Sequence, residues 1–399
     1  MDTPPRPRPP VRPGAPGPLA GIRVLDFSRL FAGPLASMTL ADLGAQVVKV
    51  EAPGGDEARH FGPPFLGGEG MNYMALGRGK RSVVIDLKTA EGRSRAQQLA
   101  RRADVVIENF RPGVTERLGI DYETLREENE GLVYCSITGF GPDGPYRDRP
   151  AFDLILQGMG GVMARQGGVG DPRLMVVTVA DTYCASLATQ GILAALYARA
   201  VDGLGQLVQA DLFQAILYAQ AYRMVTAADE IELSAWGDVA PYGPFHAADG
   251  WFNLAIATDR NFVRLCEALE RPELAGDARF ATNPARVEHQ EVLAAELTDT
   301  FSAEPAAHWL SLLEASGVPC GPILDVEDLF TDPHLVARGG IVELEHPTAG
   351  TIWTIGSPFS LSRTPLSIGA PAPCLGEHTD EVLAELSAPA GAGRDGEPE

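Results

Sequence analysis

The feature that most constrains the fold is an alternation between short apolar runs rich in β-forming residues and longer segments with helical spacing. Apolar runs of this length predict buried strands, and the segments between them predict helices. Strands that alternate with helices form parallel sheets that are covered on both faces. The sequence therefore predicts a Rossmann-like α/β domain, with strands at 22–28, 46–51, 82–87, 105–110 and 132–140 and helices at 34–45 and 89–103.

The alternation resumes after a Gly- and Pro-rich loop at 139–150. The apolar run at 175–181 predicts a strand that ends at Asp181. The uncharged segment from Thr182 to about Arg199 predicts a buried helix, and residues 206–213 predict one more strand.

The pattern changes between about residues 225 and 325, where amphipathic helices surround one strand-like run at 251–258. This change predicts a smaller α+β domain inserted into the large one. The predicted organisation is a disordered proline-rich leader (1–18), the first part of the large domain (19–224), the small domain (225–325), a return to the large domain (326–387) and a flexible tail (388–399).

The charge balance restricts the class of partner. The chain has 32 Lys and Arg against 53 Asp and Glu, a formal net charge of −21, which disfavours nucleic acid and anionic membranes as partners. Its uncharged run at 182–198 is too short to span a bilayer comfortably. Five scattered cysteines without a C-x-x-C pair are typical of a reducing compartment. We expect a soluble cytoplasmic protein that binds small molecules or other subunits.

Several common chemistries lack their sequence signals. The string GRGKRS at 77–82 places Arg81 where a phosphate-binding loop needs a hydroxyl, and the first predicted strand is not followed by G-x-G-x-x-G. The seven histidines have no zinc-site spacing, and none lies in a G-x-S-x-G setting. These absences disfavour ATP hydrolysis, NAD binding, a metal site and serine hydrolase chemistry.

Residues 76–120 form a basic island, with ten Lys or Arg against five acids. The arginines from Arg93 to Arg102 lie on one predicted helix, where they are typical of a solvated face. By contrast Lys88, Arg111 and Arg117 lie near predicted strand ends, where open α/β sheets bind ligands. We expect these three to bind an anion.

Two aspartates are candidates for a site. Asp181 lies at a predicted junction between strand and helix, where it could cap the helix, worth about 1 kcal/mol, or act as a carboxylate nucleophile. Asp153 follows Phe152 directly after the Gly- and Pro-rich loop, and an N-capping role is again the ordinary interpretation. The residues by themselves leave both alternatives open.

The sequence resembles the class III CoA-transferase family, which includes formyl-CoA transferase, carnitine CoA-transferase and the related α-methylacyl-CoA racemase. The segments that carry the resemblance are GIRVLDFSRLFAGPLASMTLADLGAQVVKVEAPGGD, KRSVVIDLKTAEGR, ADVVIENFRPGVTERLGI, GFGPDGPYRDRPAFDLILQGMGG, VADTYCASLATQGILAALYAR, GVPCGPI and LGEHTDEVLAEL. They cover most of 19–213 and 317–386, whereas 214–316 matches loosely.

The resemblance implies a large domain built from both ends of the chain and an interlocked ring homodimer. It implies a CoA thioester as substrate, with no tightly bound cofactor, and a free carboxylic acid as acceptor. It makes Asp181 the nucleophile, with Asp153 orienting the site. The implied CoA contacts are Phe31, Ala32, Ile85, Asp86, Leu87, Lys88, Asn109, Phe110, Arg111, Arg117 and Phe152.

Carboxylate chemistry is compatible with this assignment. A side chain with a reference pKa of about 3.9 is ionised at neutral pH, so we expect Asp181 to attack a thioester without a general base. The products of attack would be an aspartyl-acyl anhydride and then an aspartyl-CoA thioester.

Three departures bear on the substrate. The chain has Ala52 where formyl-CoA transferases have an arginine, and residues 230–250 contain Gly237, Gly243 and Gly250 rather than a multi-glycine loop. Oxalate is therefore disfavoured as the specific acceptor. Phe152 occupies the position of the histidine base of the racemases. An acyl-CoA racemase or isomerase and a non-catalytic CoA-binding protein remain the alternatives.

Overall fold

The computed structural model describes residues 17–224 and 238–387. The chain divides into two compact units, one of Met1–Val225 with Phe330–Glu399 and the other of Thr226–Leu329. The first unit thus draws on both ends of the chain, and the second is similar in extent to the small domain expected at 225–325. Gly237, the tail and most of the leader lie outside the described residues.

A parallel sheet forms the centre of the first unit. The strands of the described residues are β1 (Arg23–Asp26), β2 (Gln46–Glu51), β3 (Phe65–Leu66), β4 (Glu69–Gly70), β5 (Lys80–Val84), β6 (Val105–Glu108), β7 (Val133–Thr138), β8 (Leu207–Asp211), β9 (Tyr242–His246), β10 (Trp251–Ala255), β11 (Cys320–Pro322), β12 (Ile341–His346) and β13 (Gly350–Ile355). The strand order of the central sheet is β5-β2-β1-β6-β7-β8, and each neighbouring pair is parallel, which confirms the predicted Rossmann-like α/β class.

Helices cover both faces of this sheet because its strands are apolar on both sides. On β6, Val105 and Ile107 pack on one face with the helices at 32–42 and 179–202, whereas Val106 packs on the other face with the helix at 90–101. The helices are α1 (Ala32–Asp42), α2 (Met71–Leu76), α3 (Ala90–Arg101), α4 (Val114–Leu118), α5 (Tyr122–Arg126), α6 (Asp153–Met159), α7 (Val162–Gly167), α8 (Val179–Asp202), α9 (Leu212–Tyr218), α10 (Asp259–Ala268), α11 (Pro272–Gly276), α12 (Asn283–Glu288), α13 (Gln290–Phe301), α14 (Ala306–Ala315), α15 (Val326–Leu329), α16 (Pro333–Arg338) and α17 (Thr379–Ser387).

The predicted strand at 175–181 is wrong. Residues 175–178 belong to no strand, and α8 begins at Val179, so Asp181 lies in the first turn of the helix rather than at a strand end. The place beside β7 is taken by β8. Two apolar side chains of the misassigned run are exposed, with Val176 89% and Val177 63% accessible, whereas Ala180 in α8 is buried.

Helix α8 has 24 residues and is the one described helix that is long and apolar enough to span a membrane by length and composition. In this fold its side chains Cys184, Ala188 and Ile192 are buried in the core that packs on the sheet.

The second unit has its own core. Strands β9, β10 and β11 form an antiparallel sheet in the order β11-β10-β9, which includes most of the run predicted at 251–258. Phe301 packs edge to face on Phe252 at 4.9 Å and on Trp309 at 5.4 Å between ring centroids. Aromatic pairs in this geometry stabilise a core beyond their buried area.

Candidate active site

A cavity of about 580 Å³ lies at the carboxyl edge of the sheet in the first unit. Its walls come from the segments that follow β1, β6 and β7, which are neighbours in the sheet, and from the first turns of α6 and α8. Open α/β sheets bind ligands at this edge because the connecting loops diverge there. The cavity is therefore the candidate site.

Asp153 and Asp181 meet in this cavity although 28 residues separate them in sequence. Asp153 is the first residue of α6, and its Oδ1 accepts hydrogen bonds from the main-chain N–H groups of Ala180 (2.7 Å) and Asp181 (3.4 Å). Thr178, which precedes α8, makes no side-chain capping bond. Asp153 thus caps α8 from another helix, and the capping alternative for Asp181 is wrong.

The Asp181 carboxylate lacks a partner. Within residues 17–224 and 238–387 its side chain has no ion pair or hydrogen bond, and it lines the cavity. Burial raises the pKa of Asp181 to about 7, and the negative charge of Asp153 adds to the effect. This raised pKa differs from the expectation that Asp181 is fully ionised at neutral pH.

Gln157 connects this pair to the neighbouring wall. Its Nε2 donates to Asp153 Oδ2 (2.6 Å) and to the carbonyl of Met175 (2.9 Å), and its Oε1 accepts from the N–H of Met175 (3.0 Å). The side chain is 1% exposed. A single amide therefore holds both the capping aspartate and the segment that leads into α8.

The loop after β1 forms another wall, and Asn109 fixes its main chain. Asn109 Oδ1 accepts from the N–H of Arg29 (2.8 Å), and its Nδ2 donates to the carbonyl of the same residue (2.8 Å). The Arg29 guanidinium lies 5.3 Å from the centre of the Phe110 ring. The segments that follow β1 and β6 are thereby held together.

Buried charged side chains contact the rest of the loop that follows β1. Lys49 Nζ donates to the carbonyl of Ser28 (2.6 Å) and forms a buried ion pair with Asp56 (2.9 Å). Asp56 Oδ1 in turn accepts from the N–H of Leu30 (3.1 Å), whose φ of +67° is uncommon for a residue with a side chain. The loop at 28–31 is held in a strained conformation that the buried ion pair enforces.

Comparison with known proteins identifies the family. The protein-family model described as CoA-transferase family III matches residues 19–379 of this chain. The protein is a family III CoA-transferase. The family resemblance in the sequence is thereby confirmed, and so is the expectation of an enzyme that transfers CoA between an acyl-CoA and a carboxylic acid.

Named relatives of this CoA-transferase agree over nearly the whole chain. It is 42% identical over 387 residues to the succinate–glutarate CoA-transferase of Agrobacterium fabrum, covering 92% of this chain and 96% of the relative. It is 35% identical over 376 residues to the human succinyl-CoA:glutarate CoA-transferase, covering 92% and 86%. The crystal structure of a CAIB/BAIF family protein from Brucella suis superposes with a TM-score of 0.84 at 38% identity, covering 93% and 100%.

The residues that the resemblance assigned to this CoA-transferase's site fall into two places. Five of them do not line the cavity, namely Ile85, Asp86, Leu87, Lys88 and Arg117. Ile85 is buried in the core. The predicted residues that line it are Phe31, Ala32, Asn109, Phe110, Arg111, Phe152, Asp153 and Asp181. The positions of Asp86, Leu87 and Lys88 follow β5, which β2 separates from β1.

The structure sorts the ten cations of the basic island. Side chains of Lys88, Arg111 and Arg117 have no ion pair or hydrogen bond to any part of the chain that the structure describes. The others bond to carboxylates or main-chain carbonyls. Those contacts are Arg78 with Asp42, Lys80 with Asp26, Arg81 with Glu381 and Glu385, Arg95 with Glu91, Arg101 with Glu128, and Arg93 and Arg102 with carbonyls.

Several cavity residues were missed by sequence reasoning. Gln157 follows Asp153 by four residues on one helix, a spacing that brings side chains together and could have indicated it. Arg147 and Arg149 lie in the Gly- and Pro-rich loop and line the cavity, as does Arg29. A loop has no periodicity from which a cavity-facing position could be predicted.

Proposed function

We propose that the protein transfers CoA from a dicarboxylic acyl-CoA, such as succinyl-CoA, to a free dicarboxylic acid, with Asp181 as the covalent carrier. The observation that carries this proposal is the unpartnered, partly buried Asp181 carboxylate in a cavity at the sheet's carboxyl edge. Both named relatives carry succinate or succinyl-CoA together with glutarate in their names, which supports the substrate class.

In the proposed reaction an Asp181 oxygen attacks the thioester carbonyl, the carbon–sulfur bond breaks, and CoA leaves as a thiolate. The thiolate then attacks the Asp181 carbonyl of the resulting anhydride, which releases the first acid and leaves an aspartyl-CoA thioester. The acceptor carboxylate attacks this thioester, and the expelled thiolate attacks the acceptor's acyl carbon to regenerate Asp181. Each step exchanges one nucleophile for another at an acyl carbon, so the reaction needs no ATP.

The protonation state of Asp181 controls the first step. Attack requires the ionised carboxylate, and burial with the nearby charge of Asp153 raises its pKa to about 7. We predict that kcat/KM for the acyl-CoA rises about tenfold per pH unit below pH 7 and levels off above it. A profile that stays flat between pH 5 and 8 would contradict the assignment.

The three unpartnered cations are proposed to bind the phosphates of CoA. Arg111 lines the cavity, whereas Lys88 and Arg117 are not part of its lining, so the proposal requires that CoA extends past the cavity. We predict that Arg117→Ala raises KM for the acyl-CoA about tenfold and changes kcat less. Arg95→Ala is the matched control because Arg95 is paired with Glu91 on exposed α3. Equal KM values for the two variants would contradict the proposal.

The covalent role of Asp181 has a direct test. Asp181→Asn keeps the size of the side chain but removes the nucleophile, so turnover should fall by at least roughly a thousandfold. Hydroxylamine added to wild-type enzyme preincubated with acyl-CoA should convert Asp181 to a hydroxamate, which peptide mass spectrometry can locate. Trapping at Asp153, or exchange of α-deuterium without an acceptor acid, would support a different mechanism or a racemase.

We also propose that the protein acts in the cytoplasm as an interlocked homodimer. The outward face of α8 and the turn after it expose apolar side chains, with Tyr197 and Val201 each 76% and Leu204 55% accessible. Such surfaces favour subunit contact. All five cysteines are free, which is compatible with a reducing compartment. A monomer in sedimentation at micromolar concentration would contradict the dimer.

A further inference from the structure

Four arginines line the cavity, and they differ in what they contact. Arg29 forms an ion pair with Glu57 (2.7 Å), and Arg147 lies 3.6 Å from Asp148. Arg111 and Arg149 have no carboxylate partner in the described part of the chain. Arg111 follows β6 and is assigned by the proposed function to the CoA phosphates, which leaves Arg149 as a cavity cation without a role.

Arg149 is held in place by an aromatic ring rather than by an anion. Its guanidinium carbon lies 4.0 Å from the centre of the Tyr146 ring. Tyr146 packs edge to face on Phe140 at 5.6 Å, and Phe140 packs on Phe213 at 5.7 Å, where both contact the core. Stacking orients a guanidinium without neutralising its charge or occupying its N–H groups. The arrangement leaves Arg149 oriented and available for an anion.

The chain keeps Arg149 near the reacting carboxylates. It precedes Asp153 by four residues, so their Cα atoms are at most about 14 Å apart. Both residues line the same cavity as Asp181. The carboxyl carbons of succinate or glutarate are roughly 4–5 Å apart from bond lengths alone, and an arginine side chain spans about 6–7 Å. A dicarboxylic acid that reacts at Asp181 can therefore extend its second carboxylate to Arg149.

We propose that Arg149 is the specificity-determining residue that binds the unreacted carboxylate of the dicarboxylic acyl group and of the acceptor acid. This inference rests on the proposed function. The ligand chemistry is a carboxylate, for which the planar guanidinium provides two parallel N–H groups. Tyr146 acts as a positioning residue because it supports the guanidinium. A CoA phosphate is the other anion that could reach the cavity, and the experiment separates the two.

The experiment compares a dicarboxylic acid with its monocarboxylic analogue. Initial rates are measured with succinate and with butyrate as acceptors for wild type, Arg149→Met, Arg149→Lys and Tyr146→Leu. We expect Arg149→Met to lower the ratio of the two kcat/KM values, succinate over butyrate, by roughly 10–100-fold. Arg149→Lys should keep part of the ratio, because it keeps the charge without the fork, and Tyr146→Leu should lower it less. Arg173→Met is the control, since Arg173 is exposed, pairs with Asp171 and does not line the cavity.

The outcomes that overturn the inference are distinct from those that overturn the proposed function. If Arg149→Met raised KM for the acyl-CoA and left the acid ratio unchanged, Arg149 would bind a phosphate and the inference would be wrong. The inference would also fail if wild type did not prefer succinate to butyrate. If wild type transferred CoA to neither acid, the proposed function would be wrong. Calorimetric binding of succinate and butyrate to wild type and Arg149→Met would then still test the carboxylate site, since it requires no turnover.

Discussion

The first unit contains two groups of buried or partly buried charges, and they differ in whether each charge has a partner of opposite sign. Beneath the loop at 28–31, Lys49 forms an ion pair with Asp56, and Lys80 lies 3.3 Å from Asp26, all with nearly inaccessible side chains. At the start of α8, two carboxylates face one cavity, and neither forms an ion pair with any cation among the described residues. The first place neutralises its charges, and the second concentrates them.

The pKa directions follow from this difference. Burial by itself would raise the pKa of Asp56, but the charge of Lys49 and several hydrogen bonds outweigh it and lower the pKa. For Asp181 burial raises the pKa, and Asp153 raises it further, to about 7. Opposite charges thus hold a wall of the cavity, whereas burial and a like charge raise the pKa of the Asp181 carboxylate. Ion-paired and like-charged groups therefore both line one edge of the sheet, with opposite effects on the pKa of their carboxylates.

Replacing Lys49, the cation of the buried ion pair with Asp56, should have the largest effect on stability. In Lys49→Met the Asp56 carboxylate loses its partner while it stays buried, and the carbonyl of Ser28 loses its donor. We predict that the free energy of unfolding in urea falls by about 3–5 kcal/mol. Arg95→Met removes an exposed ion pair with Glu91 and should change it by less than about 1 kcal/mol. Equal losses in the two variants would remove the distinction between the buried network and an ordinary surface pair.

Much of the fold follows from local pattern. The alternation of apolar runs and helical segments predicted the parallel sheet because buried strands need both faces apolar, as Val105, Val106 and Ile107 illustrate. The same rule failed at 175–181, where Met175, Val176 and Thr178 line the cavity and the remaining residues from Val179 begin α8. Local composition does not record that β8 occupies the sheet position beside β7.

Less of the candidate site was predictable. Asp181 was predicted as a site residue and lines the cavity, but its raised pKa depends on burial and on Asp153, which is 28 residues away in sequence. The role of Asp153 as a cap for another helix is a tertiary contact of the same kind. Lys49 appears in the sequence as an ordinary charge within a strand, and its ion pair with Asp56 exists because the loop after β2 folds back over it. Contacts of this kind have no periodic signal.

Replacing Asp181 in the like-charged pair should raise the free energy of unfolding, whereas replacing Lys49 should lower it. An unfolded aspartate has a pKa of about 3.9, whereas burial raises that of Asp181 to about 7. Between these values the unfolded chain releases the proton that the folded chain keeps, so the free energy of unfolding falls as pH rises through this range. The Asp181→Asn variant has no carboxyl to ionise and does not lose stability in this way. We predict that the variant is about 1–3 kcal/mol more stable than wild type at pH 8.

The pH dependence identifies the cause. At pH 4 the wild-type carboxyl is protonated in the folded chain, so Asp181→Asn and wild type should unfold at nearly the same urea concentration. If the variant were equally stabilised at pH 4 and pH 8, the gain would come from packing rather than from the ionised carboxylate. If it were destabilised at pH 8, the contrast between the two buried groups would be wrong.

Gln157 joins the like-charged pair to the wall at 175–177, and its replacement should have the smallest effect of the three. Met is similar in length but has no polar atoms, so Gln157→Met leaves Asp153 Oδ2 and the main chain of Met175 without these partners. Because the amide acts through Asp153, which caps the first turn of α8, we predict that kcat falls about tenfold while KM for the acyl-CoA changes less. Gln157→Asn should fail to restore kcat, since the Asn side chain is one methylene shorter. Gln98→Met is the control, because Gln98 lies on the exposed face of α3. A KM effect without a kcat effect would mean that Gln157 shapes the substrate wall alone and does not position the reacting aspartate.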